Sequence, residues 1–288
     1  MHHERKGALL VIASAIFIGT EAIFTKLCYA SGLNLWTMLT IRYLISSVIL
    51  VAIASTLGHT LKLKNISWPN LSIVLTAYLV TVALLSKAYY YLPASLAIMF
   101  FFAYPTITAI MVYFINGEII SKVKLIALIM STFGLILLLW SSWTNIKVIG
   151  IYLALGAALC NTFYLIFSNR VLKEISESSL TAWLYIVGTF VFSIVGLSSG
   201  EITLSFAWQG WVYVACLSII SSVLATLAFF SGLKLIGPSL AAIISATEPP
   251  VTAFLAFLVF GEVLTGIQLF GALLIIFAVI LPQIRGRK

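Results

Sequence analysis

Two stretches of the chain decide the fold: residues 94–118, ASLAIMFFFAYPTITAIMVYFINGE, and residues 238–262, PSLAAIISATEPPVTAFLAFLVFGE. They lie 144 residues apart, half of the 288-residue chain, and eight of the 24 positions from 95 to 118 are identical to their counterparts without a gap. An apolar bias alone would match some Leu or Ala, but not Pro, Gly and Glu in the same register. The sequence therefore predicts an internal duplication, with repeats at 1–144 and 145–288.

The composition predicts that most of the surface faces lipid. Hydrophobic residues make up 62% of the chain and charged residues 8%, whereas soluble domains are roughly 45–50% apolar and about 25% charged. A soluble fold of this size could not cover so much apolar surface. The three cysteines are scattered, without the spacing of a metal site or a disulfide framework. We therefore expect an all-α integral membrane protein, since lipid admits only helices or closed barrels and the apolar runs do not alternate.

The apolar runs predict ten membrane spans of about 20 residues each. Short breaks with turn signals separate them, at Ser31-Gly32, Trp68-Pro69, Leu92-Pro93, Ser141-Ser142, Ser199-Gly200 and Gly237-Pro238. The first run follows a basic N-terminus but is longer than the core of a signal peptide, so we expect an uncleaved first helix. The predicted spans are 7–29, 35–57, 68–91, 93–116, 123–140, 147–168, 178–198, 208–232, 237–260 and 265–284.

The distribution of Lys and Arg predicts the orientation. With ten spans, twelve of the sixteen cations fall on the side that holds both termini. By the positive-inside rule that side is the cytoplasm, and the protein is expected in the cell (inner or plasma) membrane. This bias also accounts for a sequence pI near 9.4 without a nucleic-acid partner.

The odd number of spans in each half has a consequence for function. Five spans place the second repeat in the membrane upside down relative to the first. Inverted repeats are a frequent design of secondary transporters, with the substrate bound near the bilayer midplane between the halves.

The order of these features resembles the ten-helix EamA-type members of the drug/metabolite transporter superfamily. The similarity includes Ile18 to Lys26 in the first span, Trp36 to Arg42 at the start of the second, and the duplicated Ser-Leu-Ala, Pro and Gly-Glu motifs of the fourth and ninth spans. It covers nearly the whole chain. The resemblance implies transport, more often export than import, of small polar metabolites such as amino acids, driven by exchange or by protons.

Two acids within the predicted spans are candidates for substrate binding or proton coupling. An ionisable side chain near the bilayer centre costs at least ~2.5–3.5 kcal/mol and is by default a functional-site hypothesis. Glu248 lies midway along the ninth span, before Pro249 and Pro250, where missing N–H groups predict a kink with free carbonyls. Glu21 lies about two-thirds along the first span. Lys26, five residues away, is a poor partner on the same helix face.

Three further residues complete the predicted site. Arg42 is about 10 Å into the second span at 1.5 Å per residue, where it either snorkels outward or holds a substrate carboxylate. Lys87 is shallower, and snorkelling is the competing interpretation. Tyr104 occupies the repeat position of Glu248 and is expected in the cavity. Glu118 and Glu262 follow Gly at equivalent helix ends and are interpreted as caps.

Acids at mid-depth with cations further out predict a zwitterionic substrate, and an amino-acid exporter is the leading hypothesis. Uptake of a vitamin, nucleoside or S-adenosylmethionine-like metabolite is the alternative. A channel or lipid-handling protein is a rival, which the predicted duplication disfavours. The sequence shows no catalytic pair, no metal-ligand pattern and no cofactor loop, so no enzyme is expected. A monomer and a homodimer both remain open.

Overall fold

The computed structural model describes residues 2–56, 66–92, 94–116, 121–138, 147–261 and 265–285. Within these ranges the chain forms helices joined by short turns, as the composition predicts. The helices are α1 (His2–Gly19), α2 (Glu21–Ala30), α3 (Leu35–Thr56), α4 (Trp68–Tyr91), α5 (Ala94–Phe101), α6 (Tyr104–Asn116), α7 (Lys122–Leu138), α8 (Val148–Val171), α9 (Glu177–Ser198), α10 (Gln209–Cys216), a π-helical segment (Leu217–Leu224), α11 (Ala225–Ser245), α12 (Glu248–Phe260) and α13 (Gly266–Arg285).

The helices have the length and apolarity of membrane spans. In the described residues, six helical stretches are long and apolar enough to cross a bilayer. Three shorter apolar helices lie at 104–115, 248–260 and 266–282. The chain is thus an α-helical multi-pass membrane protein, in agreement with the predicted class.

Several predicted turns are confirmed. The chain turns at Gly32 and Gly200, both with positive φ, and α4 begins at Trp68. The predicted break at Gly237-Pro238 is also present, because Gly237 leaves the helical region with φ 75° and ψ 168° and divides α11 into two helical segments that meet at a kink. The segment before the kink continues a few residues past the predicted end of span eight at residue 232. The predicted breaks at Pro93 and at 141–142 lie outside the described residues.

Three predicted spans are irregular. The first has a single turn residue at Thr20, between α1 and α2, whose φ of −76° and ψ of −13° stay in the right-handed helical region. The fourth is interrupted at residues 102–103 and the ninth at residues 246–247. The last two breaks are 144 residues apart, at equivalent positions of the repeat. The kink predicted at Glu248 is therefore present, directly before that residue.

The main helix pairs respect the duplication. α1 packs on α11, α4 on α8, α3 on α9 and α7 on α13. A shift of 144 residues exchanges the first two pairs and maps each of the last two onto itself. Polar contacts follow the same rule: Ser14 Oγ donates to the Ala225 carbonyl at 2.8 Å, and Thr81 Oγ1 donates to the Ala157 carbonyl at 3.5 Å. This is the contact pattern of two similar units around a pseudo-twofold axis.

Glycines allow the α7–α13 pair to approach backbone to backbone. A Cβ on Gly271 would lie 2.5 Å from both the Gly134 carbonyl oxygen and the Leu138 amide nitrogen. A Cβ on Gly134 would lie 2.7 Å from the Gly271 carbonyl oxygen. Small residues at such crossings are the usual means of close helix packing in lipid.

Gly271→Ala is expected to destabilise the protein, because the new methyl group meets backbone atoms that cannot rotate away. We expect a loss of about 1–3 kcal/mol, as for other overpacked sites, seen as a lower melting temperature of the purified protein. Gly266→Ala is the matched control, since a Cβ at this end of the same helix meets nothing within 4 Å. Equal melting temperatures for the two variants would contradict the close approach.

Candidate functional site: a buried ion pair between two helix irregularities

Two irregular segments meet in the interior, and neither is repeated in the other half. The break at Thr20 corresponds to residue 164, inside the continuous helix α8, and the π-helical segment corresponds to residues 73–80, inside the continuous α4. The hydroxyls of Thr20 and Ser221 lie 2.8 Å apart. π-helical turns are rare and occur frequently at functional sites. Among the described residues, the two halves therefore differ in helix regularity at this place.

Arg42 and Glu21 form a bidentate ion pair at this place. Arg42 Nη1 donates to Glu21 Oε1 at 2.7 Å, and Nη2 donates to Oε2 at 2.9 Å. Such a fork matches the geometry of a carboxylate and is among the stronger hydrogen-bonded pairs in proteins. Of the two predicted roles for Arg42, snorkelling is not what the structure shows, because the guanidinium is directed to Glu21. The acid partner is Glu21, and the intervening helix end puts the two residues on different helices.

A serine of the π-helical segment accepts a hydrogen bond from the third guanidinium nitrogen of Arg42. Arg42 Nε donates to Ser222 Oγ at 2.7 Å, and Ser222 Oγ in turn donates to the Leu217 carbonyl at 3.2 Å. That carbonyl is five residues earlier, as the wider π turn requires. Nearby, Ser46 Oγ donates to the Ser218 carbonyl at 3.2 Å. The segment therefore fixes the position of α3 and the orientation of the Arg42 fork.

The two partners of the ion pair differ in exposure. The Arg42 side chain is 9% exposed, whereas the Glu21 side chain is 40% exposed. Arg42 is thus enclosed by protein and is covered on one side by its own counter-ion. Glu21 is the first residue of α2 and directly follows the break at Thr20. Its backbone is therefore continuous with a regular helix on the C-terminal side only.

Helix α12 brings Glu248 to the same region. Glu248 is the first residue of α12 and is partly buried, a favourable position for a carboxylate because of the positive end of the helix dipole. Thr252 Oγ1 donates to the Gly19 carbonyl at 3.2 Å, and Gly19 lies so close to Val251 that a Cβ there would be 2.7 Å from Val251 Cγ1. This contact joins α12 to the break in the first span, and the Glu248 and Glu21 carboxylates interact electrostatically.

Tyr104 lies beside Glu248 at the second pair of helix breaks. It begins α6, as Glu248 begins α12, and it is 5% exposed. Its hydroxyl interacts with the Ser245 side chain and with the charge of Glu248. Two residues that are equivalent in the repeat thus meet where both helices are broken.

The remaining candidates are placed elsewhere. Lys87 lies on α4 with an exposed side chain, and the Glu21–Arg42 network forms without it. Lys26 is exposed and lies over the Phe260 ring at 4.8 Å from its centroid. Glu118 and Glu262 lie outside the described residues. Of the five predicted site residues, the structure thus pairs Glu21 with Arg42 directly, and Tyr104 and Glu248 begin helices at equivalent breaks of the repeat.

A layer of tyrosines adjoins the ion pair, and the sequence analysis did not single it out. Tyr43, next to Arg42, stacks on Tyr185 with centroids 4.9 Å apart, and its hydroxyl is hydrogen-bonded to that of Tyr78. The ring centroids of Tyr78 and Tyr164 lie 5.4 Å apart. Four helices each supply one of these rings, so helix spacing within one segment gives no signal for the layer.

Two of the four tyrosines are repeat counterparts of residues in the polar network. Tyr164 corresponds to Thr20 and Tyr78 to Ser222 under the shift of 144 residues. At these two positions an aromatic residue in one half replaces a hydroxyl residue in the other. The Ser221-Ser222 pair within an apolar run was the available sequence signal for the polar side.

Comparisons with known proteins agree with this architecture. The EamA-like transporter family matches the chain twice, at residues 5–140 and again at residues 148–282. A solved crystal structure shares the fold with a TM-score of 0.86 at 15% identity, covering 98% of this chain and 97% of the other.

Curated relatives are similar in sequence. A Synechocystis protein named "Uncharacterized transporter sll1319" is 28% identical over 66% of this chain, and the Bacillus subtilis "Uncharacterized transporter YyaM" is 26% identical over 61%. The chain matches 59% and 60% of the lengths of these two proteins. An "Uncharacterized transporter" of Clostridium kluyveri is 22% identical over 99% of this chain and 95% of its own length. With both halves matched by the same family, the chain belongs to the EamA-like transporter family.

Proposed function

We propose that the protein is a secondary active transporter that moves a small zwitterionic metabolite, most simply an amino acid, by alternating access. The observation that carries the proposal is the ion pair between the buried Arg42 and the partly exposed Glu21, located between two irregular helix segments of an apolar helix bundle. Placing charges there costs free energy that a purely packed interior would avoid. Their retention is explained when they bind a charged substrate during transport.

The described contacts support distinct roles for the site residues. Arg42 offers a preformed fork to the substrate carboxylate. Glu248, at the start of α12, and Glu21 offer negative charge to an ammonium group or to a proton. Tyr104 forms the wall beside Glu248. Lys87 is proposed as an attractive charge for anions on their way to the site, since its side chain is exposed on α4.

The topology proposal is ten spans in two inverted repeats, with both termini in the cytoplasm and the protein in the cell membrane. The exchange of helix pairs under the repeat shift supports the inversion, and the distribution of Lys and Arg supports the orientation. Two similar units in opposite orientation give inward-open and outward-open states of comparable energy. The family resemblance leads us to propose export as the main direction.

Counterflow in proteoliposomes tests the proposal. A thermal-shift screen against amino acids, vitamins and nucleosides first identifies a ligand, because a ligand stabilises the state that it binds. Vesicles loaded with that unlabelled ligand are expected to accumulate the labelled ligand transiently, faster than empty vesicles do. A rate that is independent of internal ligand would indicate a channel. Stabilisation by vitamins or nucleosides but by no amino acid would replace the proposed substrate class.

A further inference from the structure

We infer that the substrate inserts itself into the Glu21–Arg42 ion pair, so that Glu21 is an internal stand-in for the substrate carboxylate. The inference rests on the proposed function, since it concerns how the same site takes its ligand. In the structure the Glu21 carboxylate occupies the Arg42 fork. In the loaded site the substrate carboxylate would occupy the Arg42 fork, and Glu21 would turn to the substrate ammonium group.

All three guanidinium nitrogens of Arg42 already have hydrogen-bond acceptors. Glu21 takes both terminal nitrogens at 2.7 and 2.9 Å, and Ser222 takes Nε at 2.7 Å. A free carboxylate would use the same two terminal nitrogens in the same plane. A second carboxylate cannot form the fork while Glu21 holds it, so binding to Arg42 requires an exchange of partners.

The exposure of the two side chains gives the order of events. Arg42 is 9% exposed and Glu21 is 40% exposed, so a ligand meets the acid before it meets the guanidinium. The uncovered acid lies in the region of Glu248, because these two carboxylates interact. Glu21 is also the first residue after the helix break at Thr20. A change at this break moves Glu21 without moving α3, where Arg42 remains held by Ser222.

The balance of charges determines which ligands fit. A plain anion that displaced Glu21 would leave this carboxylate without its counter-ion, which is costly inside the bundle. A plain cation would have to compete with Arg42 for Glu21 and would leave the guanidinium unpaired. A zwitterion pairs both groups at once, with its carboxylate on Arg42 and its ammonium group on Glu21. The ion pair therefore selects zwitterions by penalising single charges.

Chemical rescue of Glu21→Ala tests the inference without transport. The substitution removes the stand-in and leaves an accessible, unpaired Arg42. Acetate is expected to raise the melting temperature of the purified variant in a saturable manner, whereas acetamide, of similar shape but uncharged, is not. Wild-type protein is expected to show no such shift, because Glu21 already occupies the fork. Glu177→Ala is the matched control: it breaks the Lys234–Glu177 pair, 2.8 Å in the wild type and with an exposed Lys234, and should not respond to acetate.

Each outcome decides the inference. If Glu21→Ala aggregates in plain buffer, acetate during extraction is expected to recover monodisperse protein and acetamide is not. Equal acetate responses of wild type and variant, no response of a folded variant, or equal rescue by acetamide would overturn it. Counterflow by the wild type together with a failed rescue would leave the transporter proposal standing and remove the insertion. Successful rescue without counterflow would show that Arg42 accepts a carboxylate in place of Glu21, but it would overturn the proposal that a transported substrate is that carboxylate.

Discussion

Arg42→Ala is expected to reduce counterflow in proteoliposomes to the rate of protein-free vesicles. The substitution removes the fork proposed to hold the substrate carboxylate and also leaves Glu21 without its partner. Arg42→Lys keeps the charge but not the planar fork, and we expect its rate to fall about tenfold, equivalent to a loss of about 1.4 kcal/mol in the transition state. The measurement is the initial rate of labelled-ligand accumulation, normalised to the amount of reconstituted protein.

A double variant separates binding from folding. Removing one partner of a buried charge pair destabilises a protein more than removing both. Glu21→Ala/Arg42→Ala is therefore expected to melt at a higher temperature than Arg42→Ala and yet to remain inactive. Wild-type counterflow by the double variant would show that the ion pair only holds helices together, and the site assignment would be wrong.

Glu248→Gln is expected to abolish coupled transport while leaving expression and melting temperature close to those of the wild type. Gln preserves the shape at the start of α12 and removes the carboxyl group that can bind or release a proton. Without this group the site loses a ligand for the ammonium group or the proton. The measurement is uptake or efflux of the identified ligand against its own gradient, with passive exchange recorded in parallel.

Glu201→Gln is the control for this substitution. Glu201 is exposed in the turn between α9 and α10, and its backbone carbonyl accepts a hydrogen bond from Asn34 Nδ2. The amide side chain leaves that backbone contact unchanged, so transport is expected at the wild-type rate. Wild-type accumulation by Glu248→Gln would remove Glu248 from the mechanism.

The spans and the duplication were predictable because both are written in local patterns. A continuous apolar run of about 20 residues has few alternatives in lipid, and Pro105 with Pro249 marks equivalent positions directly. The kink at Glu248 also followed from local chemistry, since two consecutive prolines cannot donate backbone hydrogen bonds.

The helix irregularities were less predictable, since each depends on contacts with distant residues. The break at Thr20 is stabilised from outside: Thr252 takes the Gly19 carbonyl, and Ser221 contacts the Thr20 hydroxyl. In a bundle, neighbouring helices supply the hydrogen bonds that a broken helix loses.

The pairing of Glu21 with Arg42 could also not be predicted from local sequence patterns. Glu21 and Arg42 were predicted as site residues from their depth, but nothing in their spacing predicts that they meet. Ser222, 180 residues from Arg42, became a partner through the packing of α3 against the π-helical segment. Helix periodicity reports which face is apolar, and it contains no information on the register between two helices.

The most direct test of the account is a structure of the protein with its transported ligand bound. We expect the ligand carboxylate to accept hydrogen bonds from Arg42 Nη1 and Nη2. Glu21 is expected to contact the ligand ammonium group, and Ser222 to remain hydrogen-bonded to Arg42 Nε. A bound, transported ligand located elsewhere, with the two Glu21–Arg42 bonds intact, would contradict it.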